Sequence, residues 1–151
     1  MVFQQVAPGF VKDVLIATTH RGFEHAAFTQ LTAKRAGQLM RDPSKDAVAK
    51  FDKFGSRRAA AMSVFPSTFR GSLLPNAALF TVEALAAAVK VVLTEVTHDD
   101  QPLGWELIDL LARCMGTVVF EAAGASVGTL ILPGTGTVLG HFVGGLVCWL
   151  V

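Results

Sequence analysis

The sequence predicts an all-α protein: a helical N-terminal region followed by a C-terminal glycine-zipper transmembrane helical hairpin. Three observations predict it. Glu121 is the last charged residue, so residues 122–151 contain no Asp, Glu, Lys or Arg. That run is broken once, at Pro133-Gly134-Thr135-Gly136, which cannot continue a helix and supplies turn chemistry. Its glycines fall four apart, Gly124/Gly128 and then Gly136/Gly140/Gly144, a spacing that gathers them on one helical face.

A chain of 151 residues makes one domain of ordinary size. With 52% apolar and 17% charged residues it is too hydrophobic to be disordered, and a fully soluble monomer is not expected. Two cysteines exclude a disulfide-dense scaffold and a four-cysteine zinc site. The net charge of +1 conceals a division: residues 1–70 hold 11 Lys+Arg and 5 Asp+Glu, residues 71–151 hold 2 and 7.

Taken in order, residues 1–62 read as a basic helical extramembrane region. The first ten carry no charge and the first basic residue is Lys12, which suits neither a secretory signal nor an Arg-rich transit peptide, so internal targeting signals, or synthesis where the protein is used, are expected. Over 21–41, Phe23, Ala27, Phe28, Leu31 and Leu39 alternate with Lys34, Arg35 and Arg41 in a helical pattern that Asp42-Pro43 ends. A second helix starts near Ser44. Ala47 and Phe51 form its apolar stripe, Lys45, Asp46, Lys50, Asp52 and Lys53 its polar face, and Gly55-Ser56 closes it.

Residues 63–75 hold Pro66, Gly71 and Pro75 and read as an extended linker. Residues 76–97, rich in Ala, Leu and Val, form an amphipathic or membrane-associated helix in which Glu83 and Lys90, seven apart, share a face. A charge at the centre of a membrane helix costs about 2.5–3.5 kcal/mol, so this segment is not the first choice for a span. His98 to Glu106 is an acidic connection, and Trp105 and Trp149 suit the two membrane interfaces. Residues 107–151 form the glycine-rich membrane hairpin, with arms over 107–132 and 137–151. The second arm is short against the ~20 residues that a spanning helix needs.

In water, a glycine inside a helix costs ~1 kcal/mol relative to alanine. In a membrane, small residues at i, i+4 let helices touch where lipid offers no hydrophobic drive. Gly124, Gly128, Gly136, Gly140 and Gly144 are therefore the candidate helix-packing residues, closing the hairpin on itself or against a partner. At 100° per residue, Arg113, Glu121, Gly124 and Gly128 fall within about an 80° arc, so the charges share the glycine face and point into protein.

Glu121 and His141 are the intramembrane polar candidates. Glu121 is readable as a proton relay, an ion site or a pigment ligand. The plainer reading pairs it with a basic group of a neighbouring subunit or headgroup, since no second acid or His stands one turn away. A hairpin centred between Gly134 and Thr135 sets His141 level with Gly128 and about 10 Å from Glu121, so the two do not share a metal or haem.

Other motifs point to no chemistry. Gly134 to Gly140 imitates a dinucleotide loop, but that fingerprint needs a βαβ unit and an acidic residue about twenty positions on. His20, Glu24 and His25 lie close in sequence, where a solvent-facing pair is expected and no metal. Cys114 and Cys148 fall in apolar segments that make a thiol inert filler. Lys34-Arg35 and Arg57-Arg58 are short clusters without interleaved aromatics, so no nucleic acid is expected as partner. The basic excess instead suits the positive side of a membrane.

Ala123-Gly124-xxx-Gly128 resembles the end of the signature of the mitochondrial inner-membrane translocase and solute-carrier family that uses four glycine-rich helices. The resemblance covers about thirty residues. Ala112 and Gly116 stand where that family has Arg and Asp, and two further helices are lacking. In size, modest charge and lack of a catalytic motif the chain is also similar to small helical accessory subunits of mitochondrial respiratory or ATP-synthase complexes. These resemblances imply a non-enzymatic accessory subunit of a mitochondrial inner-membrane complex. Its expected partners are other subunits and membrane lipids, with no cofactor beyond bound lipid. The alternative they imply is a component of a glycine-zipper transporter, translocase or pore.

Overall fold

The structure is a computed structural model that describes the backbone of residues 3–93 and 103–150 and the side chains of 9–90 and 104–147. It is all-helical, with no strand among the described residues: α1 Phe3–Gln30, α2 Ala33–Leu39, α3 Pro43–Phe54, α4 Arg57–Leu93, α5 Leu103–Ile131 and α6 Thr135–Leu150. The side chains of Cys148 and Trp149, residues 94–97 of the expected helix and residues 98–102 of the acidic connection lie outside that description.

Helix α4 is the centre of the fold. α1, α2, α3 and α5 all pack on it, while α6 packs on α5 and touches α3. α4 and α5 run antiparallel. Arg57 Nη1 donates to the carbonyl of Ile131 at 3.3 Å, and Val64 meets Ala125. α1 runs back along the other flank, where Lys12 forms an ion pair with Glu83.

Local chemistry sets the ends of α3. Asp42 caps its N-terminus, accepting from the backbone N–H of Ser44 at 2.9 Å and from the Ser44 hydroxyl at 2.7 Å. Pro43 occupies the first turn, where its missing N–H is harmless. Gly55 ends the helix at φ 61°, a left-handed conformation that favours glycine, and its N–H returns to Phe51 O. The Ser44 hydroxyl, and then its N–H, hold the Asp42 carboxyl below the ordinary 3.8. This contribution is full above that value and is lost as pH falls through the lower folded-state pKa. Asp42→Ala is expected to lower stability by about 1 kcal/mol near neutrality. The gap from wild type should close on acidification, read by denaturant unfolding at stepped pH.

The pattern over 21–41 is two helices rather than one. Thr32, extended at ψ 145°, breaks the chain between α1 and α2 and accepts the N–H groups of Arg35 and Ala36. The change of direction lays Ala36, fully buried, into the fold.

Residues 63–75 are not an extended linker. α4 runs through them without a break, and 76–93 is the second half of the same helix. Each internal proline deletes one helical hydrogen bond and crowds the carbonyl four residues back, at about 3 kcal/mol in an isolated helix. Side chains reinforce the backbone around both. Near Pro66, Lys50 Nζ donates to Ser63 O, and the Ser67 hydroxyl donates to Val64 O at 2.8 Å. Next to Pro75, Asn76 Nδ2 donates to Ser72 O at 2.9 Å. Packing on both flanks outweighs the local breakers, since Val64 and Thr68 before Gly71 and Ala78 after it are completely buried.

Among the described residues, two helices are long and apolar enough to cross a membrane: α4 over Arg57–Lys90 and α5 over Gly104–Ile131. The α4 segment, not the first choice from sequence, thus qualifies ahead of the second hairpin arm. α6 has 16 residues, about 24 Å at 1.5 Å per residue against a ~30 Å hydrocarbon layer.

The flanks of the bundle differ in chemistry. The outer face of α5 and α6 exposes Ile108, Val127, Ile131, Leu139, Phe142 and Val143, and Trp105 is exposed near the start of α5. α2 and α3 carry Lys34, Arg35, Lys45, Asp52 and Lys53 exposed, with Lys45 and Asp52 beside Val138 and Leu139 of α6.

Candidate functional site

The hairpin of α5 and α6 is closed by backbone against backbone. A Cβ placed on Gly124 would lie 2.0 Å from Gly140 O, and one on Gly128 would lie 1.9 Å from Gly136 O. The reverse approaches are as tight: Gly140 to Gly124 O at 2.0 Å, Gly136 to Gly128 O at 2.4 Å, and Gly144 to Phe120 O at 2.1 Å. No side chain fits at these distances, so all five candidate packing glycines lie in one seam, and the hairpin folds on itself.

The register differs from a hairpin centred between Gly134 and Thr135. Gly128 opposes Gly136, not His141, which centres the turn near Pro133. The turn is tight because Gly134 adopts φ 91°, and the Gly136 N–H returns to Leu132 O at 2.9 Å. His141 is consequently level with Gly124, about one turn from the level of Glu121. The two still make no hydrogen bond among the described residues, and His141 Nδ1 is buried without a partner.

Just inside the turn a chain of hydrogen bonds pins this register. The Gly134 N–H donates to Thr137 Oγ1 at 3.2 Å. The hydroxyls of Thr137 and Thr129 lie 2.7 Å apart, and Thr129 Oγ1 donates to Ala125 O at 2.7 Å. Both threonines are completely buried, so every member needs the others. Thr137→Val orphans the Gly134 N–H and leaves the Thr129 hydroxyl only its bond to Ala125 O. It is expected to cost about 1–3 kcal/mol, with Thr137→Ser nearer wild type, measured by denaturant unfolding in mild detergent.

Glu121 sits where α4, α5 and α6 meet. Asn76 Nδ2 from α4 donates to Glu121 Oε2 at 3.4 Å, and a Cβ on Gly145 of α6 would lie 3.3 Å from Oε1. The absent side chain at Gly145 makes room for the carboxylate. Two further buried hydroxyls, Thr68 Oγ1 and Ser72 Oγ, lie on the Asn76 side of α4 without partners. Arg113 does not join this face. It is exposed and pairs with Asp109 at 2.9 Å, one turn away on α5. The glycine seam, which reaches Phe120 and Glu121 opposite Gly144, does not extend to it.

The polar face expected on α3 is divided as well. Asp46 is 5% exposed and is held by Arg41 Nη1 at 2.8 Å and by Lys50. Lys50 also donates to Ser67 Oγ at 2.7 Å. The i,i+4 spacing of Asp46 and Lys50 was legible, whereas their burial depends on α4 lying over them.

At the N-terminal candidate, Arg21 Nη1 takes Glu24 at 2.8 Å and His20 Nε2 stands 4.0 Å from it. No group of three or more potential metal ligands occurs among the described residues. The glycine loop at 134–140 follows a helix and not a strand, so it lacks the context of a dinucleotide site. Compared with protein-family models, curated proteins and solved structures, the chain matches none of them.

Proposed function

We propose that this chain is a structural accessory subunit of a multisubunit membrane complex, of the respiratory-chain or ATP-synthase kind in the mitochondrial inner membrane. One observation carries the reading. The glycine faces of α5 and α6 are consumed against each other, yet the outer face of the same hairpin stays apolar and exposed. Such a face is covered by lipid or by another subunit's helices. The charged surface of α2 and α3 suits docking to polar subunits or acidic headgroups. The proposed mechanism is anchoring, with the hairpin as a rigid insert and the basic flank as the contact outside it. Carbonate extraction and native electrophoresis test it. Retention in the membrane pellet within a high-mass complex is expected, and a free, salt-released monomer would sink the idea.

A second reading, a transporter or pore component, draws on Glu121, whose carboxylate lies at the three-helix junction. Oligomerising through the glycine faces would require the hairpin to open, which favours anchoring. Ion or solute flux in reconstituted vesicles that is lost in Glu121→Gln would reverse that preference.

A further inference from the structure

On the flank of α4 away from the hairpin, a cavity of about 120 Å³ is lined by Gln38 of α2, Arg41 between α2 and α3, Lys50 of α3, and Ser67 and Arg70 of α4. Three cations and one carboxylate, that of Asp46, meet around it. The carboxylate is already spent, held by Arg41 and Lys50. Lys50 is engaged too, since its ammonium pairs with Asp46 and donates to Ser63 O and Ser67 Oγ. Arg41 uses Nη1 on Asp46 and is otherwise open, with its side chain 58% exposed. Arg70 is exposed and forms no ion pair among the described residues. Two guanidinium groups and the Gln38 amide therefore line one cavity, with three cations set against a single carboxylate.

We infer that this cavity is a binding site for a phosphate group. A tetrahedral dianion offers acceptors to several donors at once, and guanidinium groups grip it bidentately. A planar carboxylate would match one fork and leave the other facing excess charge. Lys50 and Ser67 shape the wall, and Arg41 and Arg70 are the ligands. The same chemistry is presented by free phosphate and by the headgroup of an anionic lipid. The site does not depend on the accessory-subunit reading, which carbonate extraction tests separately.

The test uses the full chain in mild detergent with two probes. Inorganic phosphate is titrated by calorimetry, and retention is compared on nanodiscs of phosphatidylglycerol and of phosphatidylcholine. The variants are Arg70→Gln and Arg70→Lys, at an exposed position that leaves the Asp46 network intact. Arg70→Gln is expected to weaken binding about tenfold or more, with Arg70→Lys between it and wild type. Phosphate binding that is sensitive to Arg70 identifies a soluble ligand. Sensitivity confined to phosphatidylglycerol identifies a lipid headgroup, and sensitivity to both, with mutual competition, identifies one site open to either. If Arg70→Gln binds both probes as wild type does, or if wild type binds neither, the inference is overturned.

Discussion

Gly124→Ala is expected to open the α5–α6 hairpin and to remove about 3 kcal/mol or more of stability, although it adds a single methyl group. The new Cβ would stand 2.0 Å from Gly140 O and 3.2 Å from Gly144 Cα, so the atoms that must move are backbone. Overpacking a core by a methylene or so costs about 1–3 kcal/mol when side chains can shift. Here nothing can shift short of separating the helices, and that also breaks the Thr129–Thr137 bond. Gly140→Leu should be at least as severe, because Gly140 meets Gly124 and Gly128 together. Gly22→Ala and Gly37→Ala are the controls. Neither meets any atom within 4 Å, and both lie in helices, so each should be neutral or gain about 0.5–1 kcal/mol. Denaturant unfolding in detergent reads all four, and a Gly124→Ala protein as stable as wild type would refute the packed seam.

Lys50→Met is expected to cost about 3–5 kcal/mol, out of proportion to a charge on what reads in sequence as a solvated helix face. Asp46 is 5% exposed, and its two cationic partners are Arg41 and Lys50. Removing one partner of a buried pair leaves a charge that the interior solvates poorly. It also strips Ser63 O of the ammonium that braces α4 beside Pro66. Asp46→Leu combined with Lys50→Met removes both charges, and its loss should fall well short of the sum of the single losses. Thermal unfolding of the two single variants and the double variant gives this cycle. Additive losses would mean that the pair is not coupled.

These two expectations mark what was legible in the sequence and what was not. The seam glycines announced themselves, since the four-residue spacing is a property of one helix face and needs no neighbour to define it. The ends of α3 were equally plain, because Asp42, Pro43 and Gly55 each act on the backbone beside them. Pro66 and Pro75 misled because their local cost is real, while the compensation comes from Lys50, Asn76 and the flanking helices, which sequence neighbours do not reveal. The hairpin register was missed for a related reason. Two turns of similar composition differ by several residues in how they align the arms, and here the choice rests on φ 91° at Gly134 and on Thr137. Thr129 and Thr137 stand symmetrically about Pro133, a signal that could have found the register. Arg113 was placed on the seam face by angle alone, although the angle says nothing about where the opposing backbone stops.

The hairpin also has a consequence for the order in which the chain becomes structured. Its tightest contacts join residues 8 to 24 apart, from Gly128/Gly136 to Phe120/Gly144, and the Thr129–Thr137 bond closes across 8. The contacts that bind α4 to α5 span 45 residues for Asn76–Glu121 and 74 for Arg57–Ile131. Loop-closure entropy rises with that separation, and chains rich in local contacts fold faster. The hairpin is thus the natural nucleus, able to zip from Pro133 outward as a self-contained unit. The rest of the bundle then assembles onto a piece that is already rigid. In a hydrogen-exchange pulse during refolding, amides of 120–144 should be protected before those of 57–76, with Gly124→Ala erasing the head start.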